Sequence, residues 1–310
     1  MKSCARASMI AVMQLDEAMV ADVVRRALAE DLDGRSDLSS TAVIPESRQG
    51  TAYIVAKEAG VLAGMDCAIE ACRQLDPACK VLEAAPDGTS FEPGQVVFRV
   101  EGRARALLAA ERSALNFLQR LSGIATRTRA FVDEVRGSGA SILETRKTTP
   151  GLRYFEKYAV RVGGGQNHRY GLFDRILLKE NHFALSGNGT DAAGYRKTVE
   201  VAVAHGGEFG PVTVEVRDLA EAEAAFLGGA DILLLDNMDL VGLRAAVLLV
   251  RELKRREGRD VLLEASGGIT LETAATIAAT GVDRLSIGGL THSVKAIDLS
   301  MLVEGGAARA

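Results

Sequence analysis

Beyond residue 120 the sequence alternates between short apolar runs and longer stretches of helical periodicity. Most of the apolar runs are separated by about ten to twenty residues of helical pattern. Repeated strand–helix units predict a parallel sheet. Six units are fewer than the eight of a complete barrel, so an incomplete α/β barrel and an open doubly wound sheet are both compatible with the pattern. The predicted strands are Ile142-Leu143, Ile176 to Leu178, Val212 to Val216, Ile232 to Leu235, Val261 to Leu263 and Leu285 to Ile287.

The first 120 residues follow a mixed pattern instead. Periodicity predicts an amphipathic helix, a strand, a second helix, a second strand and a long third helix. A polar loop, Asp31 to Asp37, follows the first helix, and the first dozen residues are expected to form a disordered extension. The predicted elements are Leu15 to Glu30, Tyr53 to Val61, Ala68 to Leu75, Val96 to Val100 and Ala104 to about Ser122.

Every predicted strand of the second region ends in a polar or charged residue. Parallel strands present their active-site residues at their carboxyl ends, in barrels and in open sheets alike. Six strands with polar ends therefore predict a ring of functional side chains around one cavity. The ring comprises Glu144 with Thr145-Arg146-Lys147, Lys179, Glu215, Asp236, Glu264 with Ser266, and Ser286.

The cations of this ring predict an anionic substrate. Arg146, Lys147 and Arg169 flank strand mouths next to the glycine-rich segments Pro150-Gly151 and Gly163-Gly164-Gly165. Guanidinium groups pair bidentately with carboxylate or phosphate. A second basic set, Arg153, Lys157 and Arg161, has the spacing of one helix face and is interpreted as a solvated surface.

Glu215 and Asp236 end consecutive strands, and their carboxylates suit Mg²⁺ shared with a phosphate. The alternative is that they are ion-pair partners of the basic ring.

Two glycine-rich turns end the series of units. Ala265-Ser266-Gly267-Gly268 precedes a helix predicted near Thr270, and Ser286-Ile287-Gly288-Gly289 precedes another predicted near Thr291. Backbone N–H groups at such turns bind phosphate, and barrels place that site after their last two strands. The pattern predicts a site for a sugar 5′-phosphate.

Several classes of function are disfavoured. The formal net charge of −4 argues against a nucleic-acid binder, and no apolar run approaches the roughly 18 residues of a membrane span. Cys4, Cys67, Cys72 and Cys79 match no zinc or redox spacing, so free thiols in a reducing cytoplasm are expected. No nucleophile motif with a histidine base is present.

Five segments together resemble the quinolinate phosphoribosyltransferase family, over about residues 20 to 300. Glu144 stands where that family often has Asp, and the loop from Asp31 to Asp37 is slightly altered. The segments are Glu111 to Leu118, Glu144 to Arg153, Gly163 to Arg169, Leu178 to His182 and Glu264 to Ile269.

The resemblance implies a fold and an assembly. It implies an N-terminal α/β sandwich over residues 1–120, an incomplete (open) α/β barrel of parallel strands over 121–290, and a tail over 291–310 that packs back on the sandwich. It also implies a homodimer with shared active sites, to which Arg112 of one subunit contributes in the other, and allows dimers to assemble into a hexamer.

The resemblance further implies a reaction with Mg²⁺, in which quinolinate and phosphoribosyl pyrophosphate give nicotinate mononucleotide, pyrophosphate and CO₂. The implied roles divide the site by ligand. The quinolinate carboxylates would be bound by Thr145, Arg146, His168, Arg169 and Lys179, and the pyrophosphate would face Lys147. The ribose and the metal would be bound by Glu215 and Asp236. The 5′-phosphate side would be lined by Ser266, Gly267, Gly288 and His292.

Other functions stay open on the sequence alone. One is a phosphoribosyltransferase for a different acid, such as nicotinate. A second is a related family linked to molybdenum transport, whose pattern differs around Gln166 to Arg169 and Lys179 to His182. A third is a non-catalytic anion-binding regulator, which has no need of Glu215 and Asp236 together with Lys147.

Overall fold

The computed structural model describes residues 15–206 and 209–304, and the predicted N-terminal extension lies outside them. The chain divides into two compact units. One runs to Ala125 and resumes at Lys295, and the other runs from Thr126 to Val294.

The first unit contains a four-stranded antiparallel sheet. Its strands lie in the order β12 (Leu299–Val303), β1 (Gln49–Ala56), β5 (Val96–Arg103) and β3 (Lys80–Ala84). β12, from the end of the chain, pairs along β1 from Ala52↔Val303 to Ala56↔Leu299. Helix α4 begins in this unit and continues into the second. The elements are α1 (Glu17–Leu32), α2 (Leu38–Val43), β1 (Gln49–Ala56), β2 (Gly60–Val61), α3 (Met65–Leu75), β3 (Lys80–Ala84), β4 (Ser90–Phe91), β5 (Val96–Arg103), α4 (Ala104–Glu134) and β12 (Leu299–Val303).

Local signals explain how this unit begins. The Asp16 carboxylate accepts a hydrogen bond from the Met19 N–H and starts α1. Asp33 ends α1 in the left-handed region at φ 45°, and Asp37 caps α2 in the same way that Asp16 caps α1. The predicted polar loop is therefore shorter than expected. The strand predicted over Tyr53 to Val61 is two strands, β1 and β2, separated by a turn.

The second unit contains six parallel strands. They lie in the order β6 (Ser141–Leu143), β11 (Arg284–Ser286), β10 (Leu262–Ser266), β9 (Ile232–Asp236), β8 (Thr213–Val216) and β7 (Leu177–Leu178). The first strand of the unit pairs with its last, and the others follow in sequence. This cyclic order is that of a barrel opened between its first two strands, and a doubly wound sheet does not produce it. The elements are β6 (Ser141–Leu143), α5 (Arg153–Val162), β7 (Leu177–Leu178), α6 (Glu180–Leu185), α7 (Ala192–Gly206), β8 (Thr213–Val216), α8 (Leu219–Leu227), β9 (Ile232–Asp236), α9 (Leu240–Glu257), β10 (Leu262–Ser266), α10 (Leu271–Ala278) and β11 (Arg284–Ser286).

The two faces of this sheet differ in polarity. One face is apolar and almost completely buried, with Val214, Leu233 and Leu285 all at 0% exposure. Residues on the other face alternate with these. The strand register places Glu215 opposite Leu234, Leu234 opposite Glu264, and Glu264 opposite Arg284. The second face of the sheet therefore carries charged residues beside the buried apolar residue Leu234.

The helix predicted near Thr270 is confirmed as α10, with Thr270 at its N-cap. The helix predicted near Thr291 is wrong. Only a three-residue 3₁₀ turn, Gly288–Leu290, follows β11. The Thr291 hydroxyl donates to the carbonyl of Lys147 at 2.7 Å, which ties the chain to another loop. The long helix predicted to end near Ser122 continues to Glu134.

Candidate active site at the carboxyl ends of the barrel strands

Two carboxylates lie on the same face of the sheet at the ends of β8 and β9. Glu215 is in register with Leu234, and Asp236 follows Leu234 by two residues, so both side chains project from one face. The Glu215 carboxylate pairs with the Lys179 ammonium at 2.9 Å. Asp236 accepts from the Asn237 side-chain amide at 2.7 Å. The alternative interpretation, that these carboxylates are ion-pair partners of the cations, therefore holds for Glu215, which is half-buried.

The donor set at this point suits a hard divalent cation. Among residues 15–206 and 209–304, no group of three or more His, Cys, Asp or Glu side chains is placed to hold a metal. Mg²⁺ is commonly held by only one or two carboxylates together with substrate phosphates and water. Glu215 and Asp236 therefore fit Mg²⁺ that arrives with an anionic ligand.

The loop after β6 carries three predicted site residues. Thr145 Oγ1 accepts from the Lys147 N–H at 3.2 Å. Arg146 is half-buried, and its Nε has no hydrogen-bond partner among the described residues. Lys147 is exposed and lies beside Gly288, where an added Cβ would be 2.9 Å from the lysine Cδ. The loop thus places one guanidinium and one ammonium just beyond the carboxyl end of β6.

Lys157 contradicts its interpretation as part of a solvated helix face. Its side chain is 3% exposed and forms an ion pair with Glu144, which is 0% exposed. Burial raises the pKa of Glu144 to about 7, although Lys157 and the His168 N–H act in the opposite direction. Burial also lowers the pKa of Lys157. Helical spacing alone did not reveal that this position faces the sheet.

His168 lies next to the Glu144–Lys157 pair, and Arg169 follows it in the chain. The Arg169 N–H donates to His168 Nδ1 at 2.7 Å, and His168 Nε2 lies 3.3 Å from Glu264 Oε1. Arg169 is buried and donates to the Arg175 carbonyl at 2.9 Å. Burial and the nearby Arg146 lower the pKa of the Arg169 guanidinium. Two guanidinium groups are therefore close enough to repel each other, and an anion between them would relieve that repulsion.

The glycine turn after β10 is tied to the end of β9. Gly267 and Gly268 have φ values of 97° and 60°, which favour glycine. A Cβ at Gly267 would lie 2.1 Å from Asn237 Oδ1. The Asn237 N–H donates to the Ser266 carbonyl at 2.9 Å. Ser266 is in register with Asp236, so the turn and the carboxylate share one edge.

A second glycine turn follows β11, the last strand of the parallel sheet. An added Cβ at Gly288 would meet the His292 ring at 3.1 Å as well as Lys147. His292 is exposed, and its Nδ1 lies 2.5 Å from the Ser293 hydroxyl. Gly288, His292 and Lys147 are thus brought together, and their roles towards the 5′-phosphate and pyrophosphate stay predictions.

Sequence reasoning missed three residues. Glu264, which the sequence shows only as a strand end, is 0% exposed. Neither carboxylate oxygen has a hydrogen-bond partner among the described residues, although His168 Nε2 lies 3.3 Å from Oε1. Arg175 and Arg284 line a polar cavity of about 230 Å³ together with Arg169. Arg284 stands at the start of a strand, where no carboxyl-end argument applies. Leu143 and Gln166, which form an isolated bridge beside β6, also line this cavity.

Arg112 lies in the first unit, exposed on α4. Its predicted place in a partner subunit's site stays a prediction.

Guanidinium and ammonium groups, two carboxylates and two glycine turns converge at the carboxyl ends of an open α/β barrel. This arrangement is that of an enzyme site for a multiply charged, anionic substrate. No nucleophile–base pair is present among the site residues described above.

Comparison with known proteins identifies the family. The models of the quinolinate phosphoribosyl transferase N-terminal domain and C-terminal domain match residues 37–122 and 124–302. The chain belongs to the quinolinate phosphoribosyl transferase family, as its motifs indicated.

Individual relatives agree with that assignment. The nicotinate-nucleotide pyrophosphorylase [carboxylating] of Mycobacterium leprae is 43% identical over 284 residues, covering 90% of this chain and 95% of the relative. A probable enzyme of the same name from Bacillus subtilis is 40% identical over 272 residues, covering 88% and 89%. The structure of the nicotinate-nucleotide pyrophosphorylase from Francisella tularensis aligns with a TM-score of 0.84 at 37% identity, covering 94% of this chain and 99% of that one.

Proposed function

We propose that this protein transfers the phosphoribosyl group of phosphoribosyl pyrophosphate to quinolinate, with loss of CO₂, in the synthesis of NAD. The observation that carries the proposal is that the strand ends and loops of the barrel bear the cations Arg146, Arg169 and Lys179 together with the carboxylates Glu215 and Asp236. The charges of Arg146 and Arg169 interact, and Lys179 pairs with Glu215 at 2.9 Å. The names of the relatives at about 40% identity support the same reaction.

Quinolinate is expected on the side of β6 and β7. Its two carboxylates need more than one guanidinium, and the charges of the Arg146 and Arg169 guanidinium groups interact with each other. Thr145, His168 and Lys179 complete this side, and Arg112 of a partner subunit is proposed to close it. A monocarboxylate would leave one of these cations unpaired.

The phosphoribosyl group is expected on the side of β8 to β11. Ser266, Gly267, Gly288 and His292 would hold the 5′-phosphate through backbone and side-chain donors. Glu215 and Asp236 would hold Mg²⁺, which supplies charge neutralisation for the departing pyrophosphate when bound. Lys147, on the loop after β6, would also neutralise the charge of the pyrophosphate.

The chemistry follows from these positions. The bond from the ribose C1 to pyrophosphate breaks as the pyridine nitrogen bonds to that carbon. Positioning and charge stabilisation accelerate such a step without a general base. The resulting pyridinium accepts the electron pair left when the 2-carboxylate departs as CO₂, and the ring carbon then takes a proton.

Three finer features belong to the same proposal. The protein acts as a homodimer with shared sites, with assembly to a hexamer allowed, and it works in the cytoplasm. None of the helices in the described ranges has the length and apolar character to cross a membrane.

The test is one assay. Purified protein, quinolinate, phosphoribosyl pyrophosphate and Mg²⁺ are combined, and nicotinate mononucleotide and CO₂ are followed together. Equal amounts of both products, abolished by EDTA and restored by Mg²⁺, are expected. Product from nicotinate alone, without CO₂, would keep the transferase and refute the decarboxylation.

A further inference from the structure

Two buried charged residues adjoin the segments that carry Arg146 and Arg169. These segments lie on the side of β6 and β7, where quinolinate, the acceptor of the phosphoribosyl group, is expected, and this side is called the acceptor side below. Glu144 and Lys157 pair with each other, and both also bind the main chain of His168. The Glu144 carboxylate accepts from the His168 N–H at 3.0 and 3.3 Å. The Lys157 ammonium donates to the His168 carbonyl at 3.0 Å. One ion pair thus holds a single residue of backbone from both sides.

The position of this pair in the chain matters more than its strength. Glu144 immediately precedes Thr145-Arg146-Lys147, and His168 immediately precedes Arg169. The pair therefore connects the two segments that supply the guanidinium groups. Arg153 makes a second, half-buried connection, donating to the Thr148 hydroxyl and to the Tyr170 carbonyl, each at 3.1 Å.

Stability is a poor explanation for such a pair. Removing two charges from water costs more than their attraction returns in many proteins, and well-packed apolar replacements are often neutral or stabilising. A requirement for fixed geometry is a better explanation, because a buried ion pair with additional main-chain bonds has one low-energy arrangement. Cations that must bracket a rigid planar dianion need such an arrangement.

We propose that Glu144 and Lys157 are positioning residues, which fix the spacing of Arg146 and Arg169 and thereby set the enzyme's preference for a dicarboxylate acceptor. The inference rests on the proposed function. It assigns neither residue a contact with substrate.

The experiment compares two double variants of the full-length protein. Glu144→Gln/Lys157→Met removes the buried pair without leaving an unpaired charge. Arg196→Met/Glu200→Gln makes the same replacements in an exposed pair on α7 and serves as the control. The buried variant should raise the KM for quinolinate at least tenfold, with kcat and the KM for phosphoribosyl pyrophosphate within threefold of the wild type. The control should change none of these.

Selectivity gives an independent readout. Picolinate, which has a single carboxylate beside the ring nitrogen, should inhibit the buried variant and the wild type with constants within threefold of each other. A folded variant that binds quinolinate as tightly as the wild type would overturn the proposal, even if its melting temperature falls.

Single replacements of Glu144 keep the proposal testable if the double variant does not fold. Glu144→Asp keeps the charge and loses a methylene, whereas Glu144→Gln keeps the size and loses the charge. Positioning by charge predicts a higher quinolinate KM for Gln than for Asp, and a packing role alone predicts the reverse. A wild-type protein inactive with quinolinate would instead refute the proposed function.

Discussion

The two sides of the active site are built in different ways. On the side of β6 and β7, the cations are backed by buried charges, with Glu144 at 0% exposure, Lys157 at 2% and Arg169 at 7%. On the side of β10 and β11, the exposed glycine turn after β10 is shaped by backbone geometry, with positive φ values at Gly267 and Gly268.

The difference follows from what each side must recognise. Backbone N–H groups are fixed by the conformation of the chain, so a phosphate-binding turn needs no buried support. Long side chains such as Arg have many rotamers, so a site that uses them must restrict their supporting backbone by other contacts. The acceptor side therefore contains several charges whose burial costs desolvation free energy, whereas the phosphate side does not incur this cost.

The largest expected effect comes from removing one cation of the acceptor side. Arg146→Ala should lower kcat/KM for quinolinate about 10³-fold, because a charge-assisted bidentate pair contributes two bonds of about 1.5–3 kcal/mol each. Arg146→Lys should recover less than tenfold of this, since an ammonium lacks the planar fork. Steady-state kinetics with Arg196→Ala as control measures both. A loss below threefold would show that the acceptor carboxylates bind elsewhere.

A smaller effect is expected at Glu215, which lies between the two sides. Glu215→Gln should lower kcat about 10²-fold and raise the Mg²⁺ concentration for half-maximal rate, because one of two candidate ligands loses its charge. Quinolinate affinity, measured by calorimetry without phosphoribosyl pyrophosphate, should stay within threefold. Glu200→Gln is the matched control on an exposed helix. An unchanged Mg²⁺ requirement would favour a purely ion-pairing role with Lys179.

The sequence predicts the phosphate side of the active site better than it predicts the acceptor side. Glycines at strand ends are visible in a sequence, and Ser266, Gly267 and Gly288 lie where the pattern predicted. The support of the acceptor side was not visible. Lys157 has the spacing of a solvated helix face, and only the approach of α5 to the end of β6 buries it. Glu264 reads as one more strand end, and its burial without hydrogen-bond partners among the described residues depends on the register with its neighbouring strands. The break in the barrel between β6 and β7 likewise depends on long-range pairing.

A paired replacement at the glycine turn examines the phosphate side. Gly267→Ala should raise the KM for phosphoribosyl pyrophosphate about tenfold, because its Cβ would collide with Asn237, which must then move. Gly268→Ala meets no atom within 4 Å and should cost only the backbone strain of about 1–2 kcal/mol. Kinetics and thermal unfolding of both variants separate collision from strain. Equal KM values for the two variants would mean that Asn237 does not shape this turn.

The smallest expected effect concerns stability and pH on the acceptor side. The pKa of Glu144 is about 7 in the folded protein, against 4.5 for an unperturbed glutamate, so between these values the folded state binds more protons than the unfolded state. Its contribution to the free energy of unfolding is fully present below pH 4.5 and is lost as the pH rises through 7.

Relative to Glu144→Gln/Lys157→Met, the wild type should therefore lose stability from pH 5 to pH 7. The slope should be at most about 1.4 kcal/mol per pH unit, the limit for one proton. Urea unfolding at half-unit pH intervals measures this difference, with Arg196→Met/Glu200→Gln as the flat control. A difference that grows with pH would mean that the charged pair is favoured by its surroundings despite its burial. The acceptor side would then be preorganised by net attraction rather than by geometry imposed at a cost in desolvation.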